Sequence, residues 1–198
     1  MERSDKNTRR SDEELMVEII VHHSHPALTL LHARYSRKLL GYFIKMLNND
    51  KEKAQDFVQD IFLRLMEKKH LFDPDKKFYT WIFTIASNMC KTEYRKPFSQ
   101  SLSDDGYELG TLAFQTEDRI EKERFRKLLK QSLHNLEHHH KTVFILRFME
   151  KFSLNEIAEI TETSLGTVKS RLFYATRKMA EQLKEYDPRY ESNLFKIN

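Results

Sequence analysis

Apolar positions along most of this chain recur at steps of three and four, the period of amphipathic helices. Ser11 with Glu14 has the spacing of a capping box and predicts a short helix through Val21. Pro26 suits the first turn of a longer helix. Its stripe is Leu28, Leu31, Tyr35, Leu39, Tyr42 and Met46, and Asn48-Asn49-Asp50 breaks it. The next helix carries Phe57, Ile61 and Leu65 on one face, with Val58 and Phe62 beside them. Leu71 to Asp75 reads as a loop, because Pro74 pushes Asp73 out of the helical region. Phe78 to about Lys96 reads as a third helix, buried through Ile82, Ile85 and Met89, and Pro97 ends it.

The period fails over residues 98–116, which hold two of the four Gly and three Ser. Between Ser99 and Ile120 stand Asp104, Asp105, Glu108, Glu117 and Asp118 against Arg119 alone, a net −4. This composition predicts a linker. Helical spacing resumes near Glu117, with helices expected over 117–135, 139–150, 153–161 and 165–185. The expected fold is therefore all-α: two small helical domains joined by an acidic linker, the second with a helix-turn-helix. The expected segments are an extension with a short helix (1–24), a domain (25–98), the linker (99–119), a second domain (120–186) and a tail (187–198).

Composition narrows the chemistry. The chain has 198 residues, 4 Gly, 4 Pro and 1 Cys. So few Gly and Pro disfavour a turn-rich sandwich or a Gly-lined phosphate loop. One Cys excludes a disulfide framework or a Cys-based zinc cluster, and suits a cytoplasmic location. No apolar run approaches the ~18 residues of a membrane span, so no membrane insertion is expected. Met1 to Glu14 is charged throughout, with no secretory signal visible. The formal charge of +4 says little as an average.

Resolved along the chain, the charge says more. Ser153-Leu-Asn-Glu156 is a second capping box and opens a short helix ending near Ile160. Thr161-Glu162-Thr163 makes a turn, and Ser164 can cap the next helix. Ile157, Ile160, Leu165, Val168 and Leu172 would form the seam, with Ala158 where the helices cross. That is a helix-turn-helix pattern. From Thr163 to Lys184 there are five bases and one acid, a net +4. Thr167, Ser170, Arg171 and Tyr174 fall on the solvated side, continued by Arg177 and Lys178. Cations and hydroxyls on one face suit phosphate and base-edge contacts. A basic helix alone is more often a plain solvated face; the capped partner helix raises the DNA reading. Glu162 departs from the Gly usual in such turns, at a cost of about 1 kcal/mol in a left-handed conformation.

In the first domain Asp56, Gln59 and Asp60 stand at i, i+3 and i+4 opposite the apolar face. Spacing alone makes this an ordinary solvated stripe. The strings Ala54-Gln-Asp-Phe-Val-Gln-Asp-Ile-Phe62, Phe78-Tyr-Thr-Trp-Ile-Phe-Thr-Ile-Ala-Ser-Asn88, Phe152-Ser-Leu-Asn-Glu-Ile-Ala-Glu-Ile160 and Leu165-Gly-Thr-Val-Lys-Ser-Arg-Leu172 change that. Together they resemble the bacterial sigma-70 family of RNA polymerase sigma factors, most closely its extracytoplasmic-function group. The resemblance covers about residues 25–98 and 120–184 in the family's order, matching its regions 2 and 4.

The resemblance implies roles. Asp56, Gln59 and Asp60 match the stripe that docks on the clamp coiled coil of the largest subunit of core RNA polymerase. Asp73 to Phe78 match the loop that holds a base flipped from the promoter's −10 element. Phe78, Trp81, Asn88, Lys91 and Arg95 match the −10-binding surface, where an unstacked base needs a stacking partner and a pocket. Trp81 equally suits a core anchor. Thr167, Lys169, Ser170, Arg171, Tyr174 and Arg177 match the surface that reads the −35 element of promoter DNA. Arg171 is the strongest candidate there, since guanidinium binds phosphate or guanine bidentately. The acidic linker matches the segment that such factors thread towards the polymerase's active-site and RNA-exit channels. The resemblance also implies an anti-sigma factor as a further partner.

Other features point nowhere in particular. Successive histidines on a helix diverge by about 100°, so His134 and His138-His139-His140 are not expected to chelate a metal together. His22, His23 and His25 read the same way. Cys90, beside Met89, reads as a packed small hydrophobe. No paired carboxylates, nucleophile-and-base arrangement or Gly-rich loop marks an enzyme, so no catalytic residue and no cofactor is expected. Two other readings compete with a sigma factor. A dimeric helix-turn-helix regulator would act without core polymerase, and an interaction adaptor would carry a degenerate DNA helix.

Overall fold

The computed structural model describes residues 10–96 and 119–184, and every regular element among them is helical. The chain divides into two units, one around the helices of its first hundred residues and one around those after Arg119. The expected linker lies outside the described residues save for Arg119, and so do residues 1–9 and the expected tail.

The first unit has four helices. Helix α1 (Asp12–His22) opens on the expected capping box: Glu14 N–H donates to Ser11 Oγ at 3.1 Å, and Ser11 N–H to Glu14 Oε2 at 2.8 Å. His23, at φ 51°, ends it. Ser24 caps α2 (His25–Met46), with Pro26 in the first turn. Asn48 and Asn49 then take positive φ, which Asn tolerates better than most residues. Asp50 caps α3 (Lys51–Lys68) by accepting from Lys53 N–H at 3.0 Å, and a short 3₁₀ turn (Lys69–Leu71) follows. Helix α4 (Phe78–Tyr94) stops two residues short of Lys96, where the chain tightens into Arg95 N–H to Thr92 and Lys96 N–H to Glu93 turns.

Burial follows the predicted stripes with local shifts. Leu31, Tyr35, Leu39, Tyr42 and Met46 of α2 are buried, but Leu28 is only half-buried and Ala27 takes the inner position. Phe57 is half-buried, its ring edge-on to Phe43 at 5.3 Å. Ile82, Ile85 and Met89 of α4 are core, joined by Phe78 and Phe83. Helix α1 packs on α2, the 3₁₀ turn and α4. Its Asp12 carboxylate accepts from Arg34 at 2.5 Å and from the Tyr35 hydroxyl. Burial first, then that carboxylate, pushes the Tyr35 phenol well above its ordinary range.

The second unit holds α5 (Arg119–His134), α6 (His138–Phe144), α7 (Leu154–Thr161) and α8 (Leu165–Leu183). The continuous helix expected over 139–150 instead turns into a π-helical stretch at Ile145–Met149, closed by Glu150 N–H on the Ile145 carbonyl at 3.1 Å. Helix α8 packs on α6 and α5 through Val168, Leu172, Ala175 and Met179, all fully buried.

Candidate nucleic-acid interface

Helices α7 and α8 form the helix-turn-helix. Ser153 and Glu156 make the predicted capping box, with Glu156 N–H on Ser153 Oγ at 3.2 Å and Ser153 N–H on Glu156 Oε2 at 2.9 Å. Glu162 adopts φ 52°, and Thr163 N–H reaches back to the Ala158 carbonyl at 3.0 Å. That six-to-one bond is the Schellman closure, so the turn keeps its shape with Glu where Gly is usual. Ser164 caps α8, accepting from Thr167 N–H at 3.1 Å. Ile157, Ile160, Val168 and Leu172, expected in the seam, are all fully buried. Leu165, expected with them, is 37% exposed.

At 100° per residue, the buried line of α8 runs through Val168, Leu172, Ala175 and Met179. The opposite, exposed line runs through Gly166, Ser170, Phe173, Tyr174 and Arg177. Lys169 and Arg171 flank it on opposite sides, about 160° apart around the axis. A helix lying in a groove would point them at opposite walls, a phosphate geometry rather than a shared base. Among the described residues no carboxylate pairs with Arg171, whereas Arg177 Nε donates to Glu181 at 3.2 Å. Lys178 Nζ donates to the Asn135 carbonyl at 2.7 Å and is committed to holding α8 against the end of α5. Phe173 and Tyr174 are each 55% exposed, with rings 5.6 Å apart. Phe173 was not singled out in the sequence, and it stands exposed on this face beside Tyr174.

In the first unit, α4 carries a second polar face. Trp81, Thr84, Asn88, Lys91 and Arg95 fall within about 80° of one another. Asn88, Lys91 and Arg95 are exposed, Trp81 and Thr84 half-buried. Trp81 is half-buried: its ring meets Phe72 edge-on at 5.3 Å and keeps part of its surface in solvent. Phe78 is a correction. Expected among the −10 contacts, it is fully buried, packed edge-on against Tyr35 at 5.1 Å. As the first residue of α4 it points inward and anchors the loop instead of lining its surface. Phe72 anchors the other end, and Asp73 to Lys77 between them are exposed. The loop turns on Asp73, whose Oδ1 accepts from Asp75 N–H at 3.1 Å and whose carbonyl accepts from Lys76 N–H at 3.0 Å. One partner was invisible in the sequence: Phe78 N–H donates to Glu13 Oε1 of α1 at 2.9 Å, across 65 residues.

On α3, Asp56, Gln59 and Asp60 are all exposed, opposite the buried Ala54, Val58, Ile61 and Leu65. Leu63, 63% exposed, adjoins the stripe at its C-terminal end and was not expected there.

Two of the histidines converge despite their helical spacing. Glu137, His139 and His140 each place a ligand atom within 4.8 Å of the others, and the two rings lie 4.1 Å apart. Two rotatable side-chain bonds overcome the 100° divergence of their Cα–Cβ bonds. Burial is the main cause holding His140 below the usual histidine range, reinforced by His139, then by the Arg171 and Lys178 charges, and opposed by Glu137. Cys90 is buried, as a packed hydrophobe would be. No described helix is long and apolar enough to cross a membrane.

Comparison with known proteins joins these surfaces. Residues 31–97 match the model of sigma-70 region 2, and residues 122–181 that of sigma-70 region 4. The sigma-E factor of Haemophilus influenzae, an ECF RNA polymerase sigma factor, is 30% identical over 179 residues, covering 85% of this chain and 93% of that protein. The ECF sigma factor SigW of Bacillus subtilis is 29% identical, over 76% of this chain and 86% of its own. The solved sigma factor RpoE of Bartonella quintana, in complex with the anti-sigma factor NepR, superposes with a TM-score of 0.60 at 25% identity, over 75% and 91% of the chains. CnrH, in complex with the cytosolic domain of CnrY, gives 0.65 at 22% identity over 90% and 100%, a likeness of fold. With region 2 in place of a sensor domain, the dimeric-regulator reading loses its basis. The chain belongs to the extracytoplasmic-function group of the bacterial sigma-70 family, and is a sigma factor that binds core RNA polymerase and directs initiation at promoters through their −35 and −10 elements.

Proposed function

We propose a division of this promoter-recognition work among named side chains. Residues 25–98 act as the domain for core polymerase and the −10 element, and 120–186 as the domain for the −35 element. Asp56, Gln59 and Asp60, with Leu63 at their end, dock on the clamp coiled coil. The loop Asp73 to Lys77 takes a flipped −10 base, with Trp81 as a stacking wall and Asn88, Lys91 and Arg95 along the adjoining strand. Thr167, Ser170, Phe173, Tyr174 and Arg177 face the −35 major groove, and Lys169 and Arg171 grip its two sides. The observation that carries this reading is the exposed line of α8, where hydroxyl, aromatic and cationic side chains stand together behind a capped helix-turn-helix. The energy comes from binding, and no chemistry is assigned to the chain. It would work where polymerase does, in the cytoplasm. A partner of the anti-sigma kind, as NepR is for the Bartonella protein, is the proposed regulator.

Run-off transcription with purified core polymerase tests the division. Arg171→Glu should abolish promoter use and leave core binding intact. Asp56→Arg with Asp60→Arg should abolish core binding and leave α8 able to bind −35 duplex. The same phenotype from both would overturn the assignment.

A further inference from the structure

We infer that Glu13, on the helix preceding the matched region 2, is a positioning residue for capture of the unpaired −10 base. The inference rests on the proposed role of the Asp73 to Lys77 loop and adds the group that fixes one end of it. A helix begins with backbone N–H groups that have no intrahelical acceptor, and a cap normally supplies one. Helix α4 has Lys77 at its cap position, with no capping bond from that side chain. The Glu13 carboxylate supplies the acceptor from another helix, at 2.9 Å from Phe78 N. A carboxylate there also meets the positive end of the helix dipole.

The helix that carries Glu13 is tied down on either side of it. Its neighbour Asp12 is bound by Arg34 and by the Tyr35 hydroxyl, and the Tyr35 ring packs on Phe78 at 5.1 Å. At the far end of α1, Lys69 Nζ donates to the Ile19 carbonyl at 3.4 Å, tying the helix to the 3₁₀ turn before the loop. Helix α1 thus touches the chain on both sides of the segment that would take the base. Without Glu13, the first turn of α4 loses its outside acceptor, and the end of the loop that this turn anchors loses a fixed point. The expected cost falls on holding an unstacked base, which needs a pocket of fixed shape, and not on docking to polymerase.

The experiment uses the full chain with core polymerase on a promoter mapped by transcript 5′ ends, with 2-aminopurine placed in turn at each adenine of the −10 element. Flipping raises 2-aminopurine fluorescence. Glu13→Ala should lower the flipped fraction about tenfold at equal core affinity. Glu13→Gln keeps a carbonyl acceptor and should recover most of it. If Glu13→Ala flips the base as the wild type does, Glu13 has no such role. If it loses core affinity in the same proportion, Glu13 only supports the fold, and the inference is overturned. If the wild type itself flips no base, it is the loop assignment that fails, a result distinct from the other two.

Discussion

Lys178 donates from its ammonium to the backbone carbonyl of Asn135 at 2.7 Å, closing the end of α5 with a side chain from α8. A helix C-terminus leaves carbonyls without partners, and a cation there is favourable. By charge alone Lys178 looked like one more phosphate contact. We expect Lys178→Met to cost about 1 kcal/mol, lowering the second unit's Tm by several degrees. The salt dependence of −35 duplex binding should hardly change. A salt slope reduced by about one with an unchanged Tm would return Lys178 to the phosphate contacts.

Phe173 is an apolar ring on a polar face, 55% exposed and next to Tyr174. An apolar side chain in the major groove has one distinctive target, the thymine methyl. Replacing −35 thymines one at a time by uracil removes that methyl and nothing else. At one position the wild type should lose several-fold in affinity, and Phe173→Ala should not respond there. Because the ring is largely exposed, Phe173→Ala should leave the thermal stability within about 0.5 kcal/mol of the wild type.

What could be read in advance was what neighbours in sequence decide. Ser11, Ser153 and Ser164 cap as their spacing requires, because a cap and its N–H lie three residues apart. The buried positions of α7 and α8 follow from period, Leu165 excepted. Phe78 was expected at the surface and is buried, while the exposed Phe173 was not singled out: an aromatic carries no mark of facing in or out until a neighbouring helix covers it. Glu13 was out of reach because its partner lies 65 residues away. The convergence of His139 and His140 was missed because a helical wheel fixes Cβ directions and not ring positions.

Glu93 joins two lysines at the far end of the first unit. Lys53 of α3 pairs with one of its oxygens, and Lys96 with the other at 3.0 Å. Burial pushes its pKa up, but the hydrogen bonds from both lysines outweigh that and hold it below the usual carboxylate value of 4.5. A carboxyl whose folded pKa is depressed adds stability at all pH above its unfolded value, and loses it as pH falls through the folded value. Glu93→Gln should therefore destabilise the first unit at neutral pH by about 1 kcal/mol, and the difference should vanish in acid below the folded pKa. Trp81 is the single tryptophan and sits in this unit, so its fluorescence during urea unfolding isolates the effect. A destabilisation that persists unchanged in strong acid would exclude the ion pairs as its source.

Glu162 sits at φ 52° in the turn between α7 and α8, a conformation that costs a side-chain-bearing residue about 1 kcal/mol relative to Gly. The closure from Thr163 N–H to Ala158 is a backbone bond and does not depend on the side chain at 162. Glu162→Gly should thus keep the turn, relieve the strain, and raise the second unit's Tm by several degrees. The Gly also adds freedom to the unfolded chain, which takes back part of the gain, so about 0.5 kcal/mol is the expected net effect. Since α8 stays capped by Ser164 on the far side of the turn, promoter preference should be unchanged. A lower Tm would mean that the Glu162 side chain contributes more through its own contacts than its backbone costs. An altered −35 preference would mean that the turn fixes how α8 enters the groove.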